Sequence, residues 1–517
     1  MPAAADLVLT DGVVHPLTGE NEAEAVAIRG SDIVAVGRAY DVELLADVET
    51  TVVDLDGAHL LPGFVDAHTH LEMVGRREQE ADLTGAESPD ACLDRLRAIR
   101  DERPDSEWIL GFGYDESTWG GEYLTREELD AVSDERPVAA VREDMHLASL
   151  NGVALERHRE AMPDRDVRIV DGEPTGVVVE KALEVIWAAI RPDADRLREY
   201  LLAAQDVANR RGITAVHDMV RRSEAPKVYR TLDAEGKLTL RVRLNYWADH
   251  LDAVLETGLR TNHGSDRVRM GAIKTYVDGS IGGRTARLST PYADTPDTDA
   301  DADDAGEDRR GEWVVDPEAL ATLVDRVDDA GLQFAAHAIG DEAIAVALDA
   351  LEGTGGERHR IEHAEVLTDE LIDRLAASDV VVSAQPNFLK WAREGGLYDR
   401  RLGENRRRES NRFRSLREAG ATLAFGSDCM PLDPLFGIEQ VVTAPGPEQR
   451  LPVTDALRAY TSGGAYAAFQ EGRQGTIEPG TCGDLVVLSD SPWESDAISE
   501  IPVEFTIVGG DVVYDGR

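Results

Sequence analysis

Short apolar runs, separated by polar turns and by helical stretches, fill most of the 517-residue chain. In its middle part, runs typical of buried strands alternate with stretches whose apolar residues recur every three or four positions. This alternation predicts a parallel α/β fold. The predicted strands cover 212–218, 240–246, 269–277, 332–339, 359–364, 380–385 and 421–427. With one more strand ending near His70 they number eight, which is the count of a TIM-like (β/α)8 barrel.

The two ends of the chain show a different pattern, in which short alternating strands follow one another without helices. The predicted strands are 6–10, 25–29, 33–37 and 51–55 at one end and 475–478, 484–489, 504–508 and 511–514 at the other. Because chain termini often lie close together, we expect 1–60 and 475–517 to form one small composite β-sandwich. Residues 61–474 then form the barrel, with an insertion at about 75–190 that does not fit the barrel pattern.

Charge is the most unusual property of the composition. The chain has 100 acidic and 54 basic residues, a net charge of −46, which argues against nucleic acid and membrane surfaces as partners. Only five of the basic residues are lysines, and an acidic surface poor in lysine is typical of halophilic proteins. The acidic run over 294–308 is predicted to be a solvated loop.

Three widely spaced cysteines make a disulfide framework improbable and suit a reducing compartment. The first residues lack the basic start and apolar stretch of a signal peptide, and no apolar run of 18 residues occurs. We therefore expect a cytoplasmic protein that acts on a small-molecule substrate.

The run Pro-Gly-Phe-Val-Asp-Ala-His-Thr-His at 62–70 carries the first chemical signal. Residues i and i+2 of a strand point to the same side, so His68 and His70 are expected to leave the strand together. Two imidazoles converging at a strand end can begin a zinc or iron site. A pair of this kind also arises by chance, so further ligands are needed.

Further ligand-type residues stand near the ends of later predicted strands, where the active site of a barrel lies. They are Lys274, His337, His363 and Asp428. A lysine inside an apolar strand is costly unless it is neutral or paired. Lys274 is therefore interpreted as an amine of lowered pKa that can form a carbamate, or alternatively as the partner of a carboxylate such as Asp278.

These motifs together resemble those of the metal-dependent amidohydrolases, in particular the branch with N-substituted formamide deformylases (amidohydrolase family 3). The resemblance rests on 62–70, 216–218, 274–279 with 282–286, 337–341, 359–363, 385–386, 426–428 and 475–484, and it covers nearly the whole chain. It implies a barrel that holds one or two divalent metal ions, with zinc favoured and iron or manganese as alternatives. It also implies a homodimer.

Residue by residue, the resemblance implies that His68, His70 and Asp428 hold the deeper ion and that His337 and His363 hold the outer one. Lys274, if carbamylated, bridges the two. Asp428 is also the implied catalytic base for a metal-activated hydroxide. The implied reaction is hydrolysis of a non-peptide C–N bond, in an amide or an N-formyl amine. Hydrolysis of a lactone or ester on the same machinery and a catalytically inactive scaffold are the alternatives.

Several polar and aromatic residues outside the strand ends are candidates for contacts with the substrate. His217 ends a predicted strand, and a structural hydrogen bond explains it equally well. The others fall in the insertion, where core packing is an alternative for Trp119. They are Tyr114, Asp115, Trp119, Asp144 and His146.

Overall fold

The computed structural model describes residues 4–19, 23–294 and 309–517. The predicted acidic loop over 294–308 lies, except for Asp294, outside the described residues. The chain divides into two compact units. The first holds the described residues of Met1–His70, Gln205–Arg222 and Tyr229–Arg517, and the second holds Leu71–Ala204 and Ser223–Val228.

A parallel eight-stranded sheet forms the centre of the first unit and confirms the predicted TIM-like barrel. Each strand pairs with the next in chain order. The strands are β1 (Phe64–Thr69), β2 (Ile213–Val220), β3 (Arg241–Trp247), β4 (Val268–Tyr276), β5 (Phe334–Ala338), β6 (Arg360–His363), β7 (Val381–Ala384) and β8 (Thr422–Phe425).

The last strand returns to the first and brings the barrel close to closure. The N–H groups of Ser427 and Asp428, just after β8, donate to the carbonyl O of His68 at 3.1 and 2.7 Å. Oδ1 of the buried Asp66 accepts from the N–H of Ser427 at 3.1 Å. These bonds form the seam of the barrel, and they join the two strand ends that carry predicted metal ligands.

Helices follow the apolar periodicity where that periodicity is strong. In Pro317–Asp329, the buried Leu320, Val324 and Val327 form one stripe, and the side chain of Asp316 accepts the N–H groups of the first turn. The α-helices of the described chain are Ala39–Glu43, Leu71–Gln79, Pro89–Glu102, Arg126–Asp130, Gly152–His158, Glu180–Ala189, Ala194–Arg210, Ala225–Ala234, Leu251–Glu256, Pro317–Asp329, Asp341–Leu351, Asp369–Ala377, Leu397–Arg408, Phe413–Ala419, Pro434–Val442, Val453–Arg458 and Gly464–Ala467. None of them is both long and apolar enough to cross a bilayer.

The terminal strands form two further sheets in the first unit. One contains Leu7–Thr10, Ala25–Arg29, Asp32–Gly37 and Thr51–Asp54, and the other contains Val13–Val14, His59–Pro62, Leu485–Leu488, Val503–Val508 and Asp511–Asp515. Both chain ends meet in the second sheet, where His59–Pro62 pairs with Leu485–Leu488. Side chains of both sheets share one apolar core, as in a sandwich.

One predicted terminal strand is wrong. Residues 475–478 form no strand, although they lie within the described chain. Gly475 has a φ of 87° and packs against the backbone of Ser462, so the chain bends where the prediction required an extended course.

The second unit has a sheet of its own. In spatial order its strands are Val167–Val170, Glu173–Val179, Leu147–Leu150, Val138–Arg142, Ile109–Tyr114 and Ala81–Asp82. An apolar core that includes Leu83, Leu96 and Val138 packs against this sheet. The predicted insertion, at about 75–190, falls within this unit.

Candidate metal centre

His68 and His70 stand at the carboxyl end of β1, with ring centres 5.8 Å apart. Nδ1 of His68 lies 2.7 Å from Oε2 of Glu362, and Nδ1 of His70 lies 3.2 Å from the carbonyl O of Met219. Because both partners are acceptors, each Nδ1 carries a proton, and Nε2 is the nitrogen that each ring can offer to a metal ion. Burial, followed by the charge of Lys274, holds the pKa of His68 well below its usual range, so this ring is neutral.

Asp428 reaches the same place through a left-handed turn after β8. Its φ is 48° and that of Cys429 is 55°, a region that costs free energy for residues with a side chain. The hydrogen bonds of the seam hold this turn against the end of β1. As a result, Oδ1 of Asp428 lies 3.7 Å from Nε2 of His68 and 3.2 Å from Nε2 of His70.

The donor atoms of these three residues fit a divalent metal ion. One ligand atom from each of His68, His70 and Asp428 lies within 4.8 Å of the other two. Among the described residues, the buried Oδ1 of Asp428 accepts no hydrogen bond. Three atoms with lone pairs facing one another repel, and a shared proton or a metal cation among them removes that repulsion. Two imidazole nitrogens and one carboxylate oxygen are ligands that zinc and iron accept.

His337 and His363 extend this cluster on the side of β5 and β6. Their ring centres are 4.4 Å apart, and the ring of His363 is 4.9 Å from that of His68. Nε2 of His337 lies 3.0 Å from the carbonyl O of Gly279, so its Nδ1 carries the lone pair. Nδ1 of His363 is buried and has no hydrogen-bond partner among the described residues. Both rings therefore lie beside the three-residue cluster, and neither belongs to it.

Lys274 is buried on β4, with 1% of its surface exposed. Burial lowers the pKa of its amine to about 8, although the charges of Glu362 and Asp428 act in the opposite direction. The lower pKa enlarges the fraction of neutral amine, which is the form that adds CO₂. The alternative partner, Asp278, accepts three backbone N–H groups at 2.8 to 3.0 Å. Within the described chain no carboxylate pairs with Lys274.

Glu362 and Arg360 are candidate functional residues that the sequence predictions missed. Both are fully buried, and Nε of Arg360 lies 2.8 Å from Oε1 of Glu362. Burial alone raises the pKa of Glu362, but the charges of Arg360 and Lys274 and the hydrogen bond from Ser383 together outweigh it and lower this pKa, so the carboxylate accepts the proton of His68 as an anion. The available signal was a pair of charged residues at i and i+2 in the short strand β6, which alternation directs to one side.

His217 lies apart from the three-residue cluster. Its Nδ1 is 2.9 Å from Nη1 of Arg360, and Arg360 in turn pairs with Glu362, the partner of His68. Burial, followed by the charge of Arg360, holds its pKa well below the usual range. A contact between His217 and substrate stays a prediction.

The other predicted substrate contacts belong to the second unit. Tyr114 is buried, with its hydroxyl 3.1 Å from Oγ of Ser149, and Trp119 stacks on it at 6.1 Å. Arg142 binds the carboxylates of Asp144 at 2.7 Å and Asp115 at 3.5 Å.

His146 completes the set. Its Nδ1 lies 3.6 Å from Oε1 of Glu180. Trp119 also packs against the apolar core of the unit, in line with the structural alternative. Substrate binding by these five residues stays a prediction.

Comparison with known proteins identifies relatives of this chain. The sequence profile of the amidohydrolase family matches residues 51–514. The chain is 31% identical to each of two relatives, over 537 residues in one alignment and 553 in the other. The relative in the longer alignment is protein LONG AFTER FAR-RED 3 of Arabidopsis thaliana, with 99% of this chain and 92% of that protein covered. It is 25% identical over 558 residues to the N-substituted formamide deformylase of Arthrobacter pascens, with 100% and 99% covered.

A solved structure shares both the fold and the sequence likeness. An uncharacterized metal-dependent hydrolase from Pyrococcus horikoshii OT3 superposes with a TM-score of 0.80 at 29% identity, and the match covers 96% of this chain and 99% of that one.

Proposed function

The chain belongs to the amidohydrolase family, and we propose that it hydrolyses a non-peptide C–N bond of a small molecule, in an amide or an N-formyl amine. At the coarser level it is a metal-dependent hydrolase of this family. The observation that carries the proposal is the approach of three possible ligand atoms, from His68, His70 and Asp428, within 4.8 Å of one another. A bound divalent cation would make that arrangement favourable.

A divalent ion held by these residues would lower the pKa of a bound water to about 7 and polarise a substrate carbonyl. Asp428 would accept the proton of the attacking water and pass it to the leaving amine. Glu362 fixes the His68 ring through its Nδ1 proton. His337 and His363 would hold a second ion, with Lys274 as a carbamate between the two.

The choice of a C–N bond has support from one relative. The N-substituted formamide deformylase of Arthrobacter pascens aligns with the whole chain, and its name specifies cleavage of an N-formyl group. The machinery itself does not select the leaving group, so lactones and esters are the competing substrates.

A substrate panel with controlled metal content tests the proposal. The full chain is stripped with a chelator, dialysed, reloaded separately with Zn²⁺, Mn²⁺ or Fe²⁺, and assayed on N-formyl amines, N-acyl amino acids, cyclic amides and lactones. We expect turnover of one C–N class that disappears on stripping and returns on reloading. Turnover of lactones alone would overturn the proposed bond, and equal activity before and after verified metal removal would overturn the proposed site.

A pair of histidine variants separates ligation from folding. His68→Ala removes a proposed ligand, whereas His359→Gln alters another buried histidine, whose Nδ1 accepts the N–H of Phe334 at 3.0 Å. We expect His68→Ala to lose bound metal, measured by elemental analysis, and His359→Gln to retain it. Equal metal content in the two variants would contradict the assignment of His68.

A further inference from the structure

A second charged pocket lies at the opposite, amino end of the barrel. Residues near the starts of β2, β3 and β4 line it together with the segment after Gly464–Ala467. Its polar lining holds four arginines, two glutamines, one histidine and one carboxylate: Arg241, Arg243, Arg267, Arg269, Gln470, Gln474, His217 and Asp266. In a chain of net charge −46, four guanidinium groups against one carboxylate around a pocket are a local reversal of sign.

Two of the four arginines have carboxylate partners. Arg241 makes a bidentate pair with Asp484, at 2.6 and 3.0 Å. Arg269 pairs with Asp266 at 3.2 Å, but the side chain of Asp266 is 89% exposed, so solvent screens this pair. The positive charge of Arg241 is thus balanced, and that of Arg269 is balanced weakly.

The other two arginines are bound only by neutral oxygens among the described residues. Arg243 donates to the side-chain oxygen of Asn262 and, at 3.4 Å, to the carbonyl O of Met270. Arg267 donates to the carbonyl oxygens of Thr239 and Val508, both at 3.3 Å. No carboxylate of the described chain comes within salt-bridge distance of either guanidinium.

Arg243 shows how unfavourable this arrangement is without a counter-ion. It is 6% exposed, and burial, followed by the charges of Arg269 and Arg360, lowers its pKa to about 9. A buried charge that lacks a partner of opposite sign is costly. An anion in the pocket would remove much of that cost.

We propose that this pocket binds a small oxyanion, of the sulfate or phosphate type, between Arg243, Arg267 and Arg269. The planar fork of a guanidinium donates two parallel hydrogen bonds to an oxyanion, and a spherical halide cannot receive both equally well. The amides of Gln470 and Gln474 add polar groups to the same wall. Of the predicted site residues only His217 lines this pocket, and the test of the pocket does not depend on turnover.

Thermal unfolding of the full chain tests the proposal. Sodium sulfate or sodium phosphate, from 0 to about 20 mM, replaces sodium chloride at constant ionic strength. We expect a saturable rise in Tm of a few degrees, because binding to the folded state alone stabilises it. A rise in Tm that does not saturate, or a Tm no higher than in sodium chloride of the same ionic strength, would overturn the proposal. General salt effects on an acidic protein behave in that way.

Arginine variants localise the effect. Arg267→Gln and Arg269→Gln should each lose most of the oxyanion-dependent rise. Arg260→Gln is the matched control, because Arg260 is exposed, donates to the carbonyl O of Leu259 and does not line the pocket. Isothermal titration of sulfate into wild type and Arg269→Gln gives a second readout if Arg267→Gln folds poorly. Retention of the full response in both pocket variants would overturn the assignment.

Discussion

The two ends of the barrel carry opposite electrostatic mismatches. At the carboxyl end, His68, His70 and Asp428 turn lone pairs toward one another. At the amino end, Arg243 and Arg267 hold positive charge against neutral oxygens. A cation would balance the first arrangement and an anion the second, so the sign of the mismatch sets the kind of ligand proposed for each end.

The barrel interior between the two ends is balanced. Arg360 and Glu362 form a buried ion pair at 2.8 Å, with His217 on one side and His68 on the other. This pair has its counter-charge within the chain and needs no ligand. The charges of Arg360 and Glu362 therefore stabilise the fold, whereas the charges at the two ends of the barrel are proposed to bind ligands.

The largest effect is expected from Asp428. Asp428→Asn should lower kcat by about 10²–10⁴-fold, because the variant loses both the proton acceptor and an anionic ligand. Steady-state rates on the substrate found in the panel measure it, with His359→Gln as the folding control. A loss below tenfold would mean that the carboxyl end does not use Asp428 as a base.

Arg360→Met is expected to have the next largest effect, on stability. It leaves the carboxylate of Glu362 buried without its partner and should lower the free energy of unfolding by about 3–5 kcal/mol. Urea denaturation of metal-free protein measures the change. The double variant Arg360→Met/Glu362→Gln should recover part of the loss, and an equal or larger loss would contradict the balanced pair.

Glu362→Gln should weaken metal binding by about 10–100-fold, since the acceptor that orients His68 loses its charge. Competition with a chelating dye measures the dissociation constant. The same substitution is not expected to change the sulfate response at the amino end. A change there, with metal affinity intact, would reverse the roles given to the two ends.

The smallest effect is expected from Arg269→Gln. Its ion pair with Asp266 is exposed, so the free energy of unfolding without sulfate should change by less than about 1 kcal/mol. Chemical denaturation in chloride alone checks this. Destabilisation comparable to that of Arg360→Met would show that the arginines of the amino end serve the fold and not a ligand.

Most of the barrel was predictable because its strands are short apolar runs bounded by polar residues. The helix Leu397–Arg408 was not predicted. Only Tyr398 and Leu402 of its apolar residues are buried, and seven of its twelve residues are charged, so the sequence shows no apolar periodicity. The extended course predicted for 475–478 failed at Gly475, where the positive φ depends on packing against a distant segment.

The candidate site was predictable only where ligand-type residues end strands. His68, His70 and Asp428 were found in that way, and the structure brings them together. Glu362 was missed because its role depends on a contact with His68, 294 positions away. The left-handed turn at Asp428 also left no sequence signal, because it is imposed by hydrogen bonds to β1.

The seam of the barrel has a consequence for how the protein matures. Asp66 and Ser427 bond across 361 positions of the chain, so the ligands on either side of them meet only after nearly the whole polypeptide has left the ribosome. A nascent chain that ends before Asp428 has only two of the three candidate ligands. If these residues hold a metal ion, its retention would distinguish completed barrels from truncated or stalled ones.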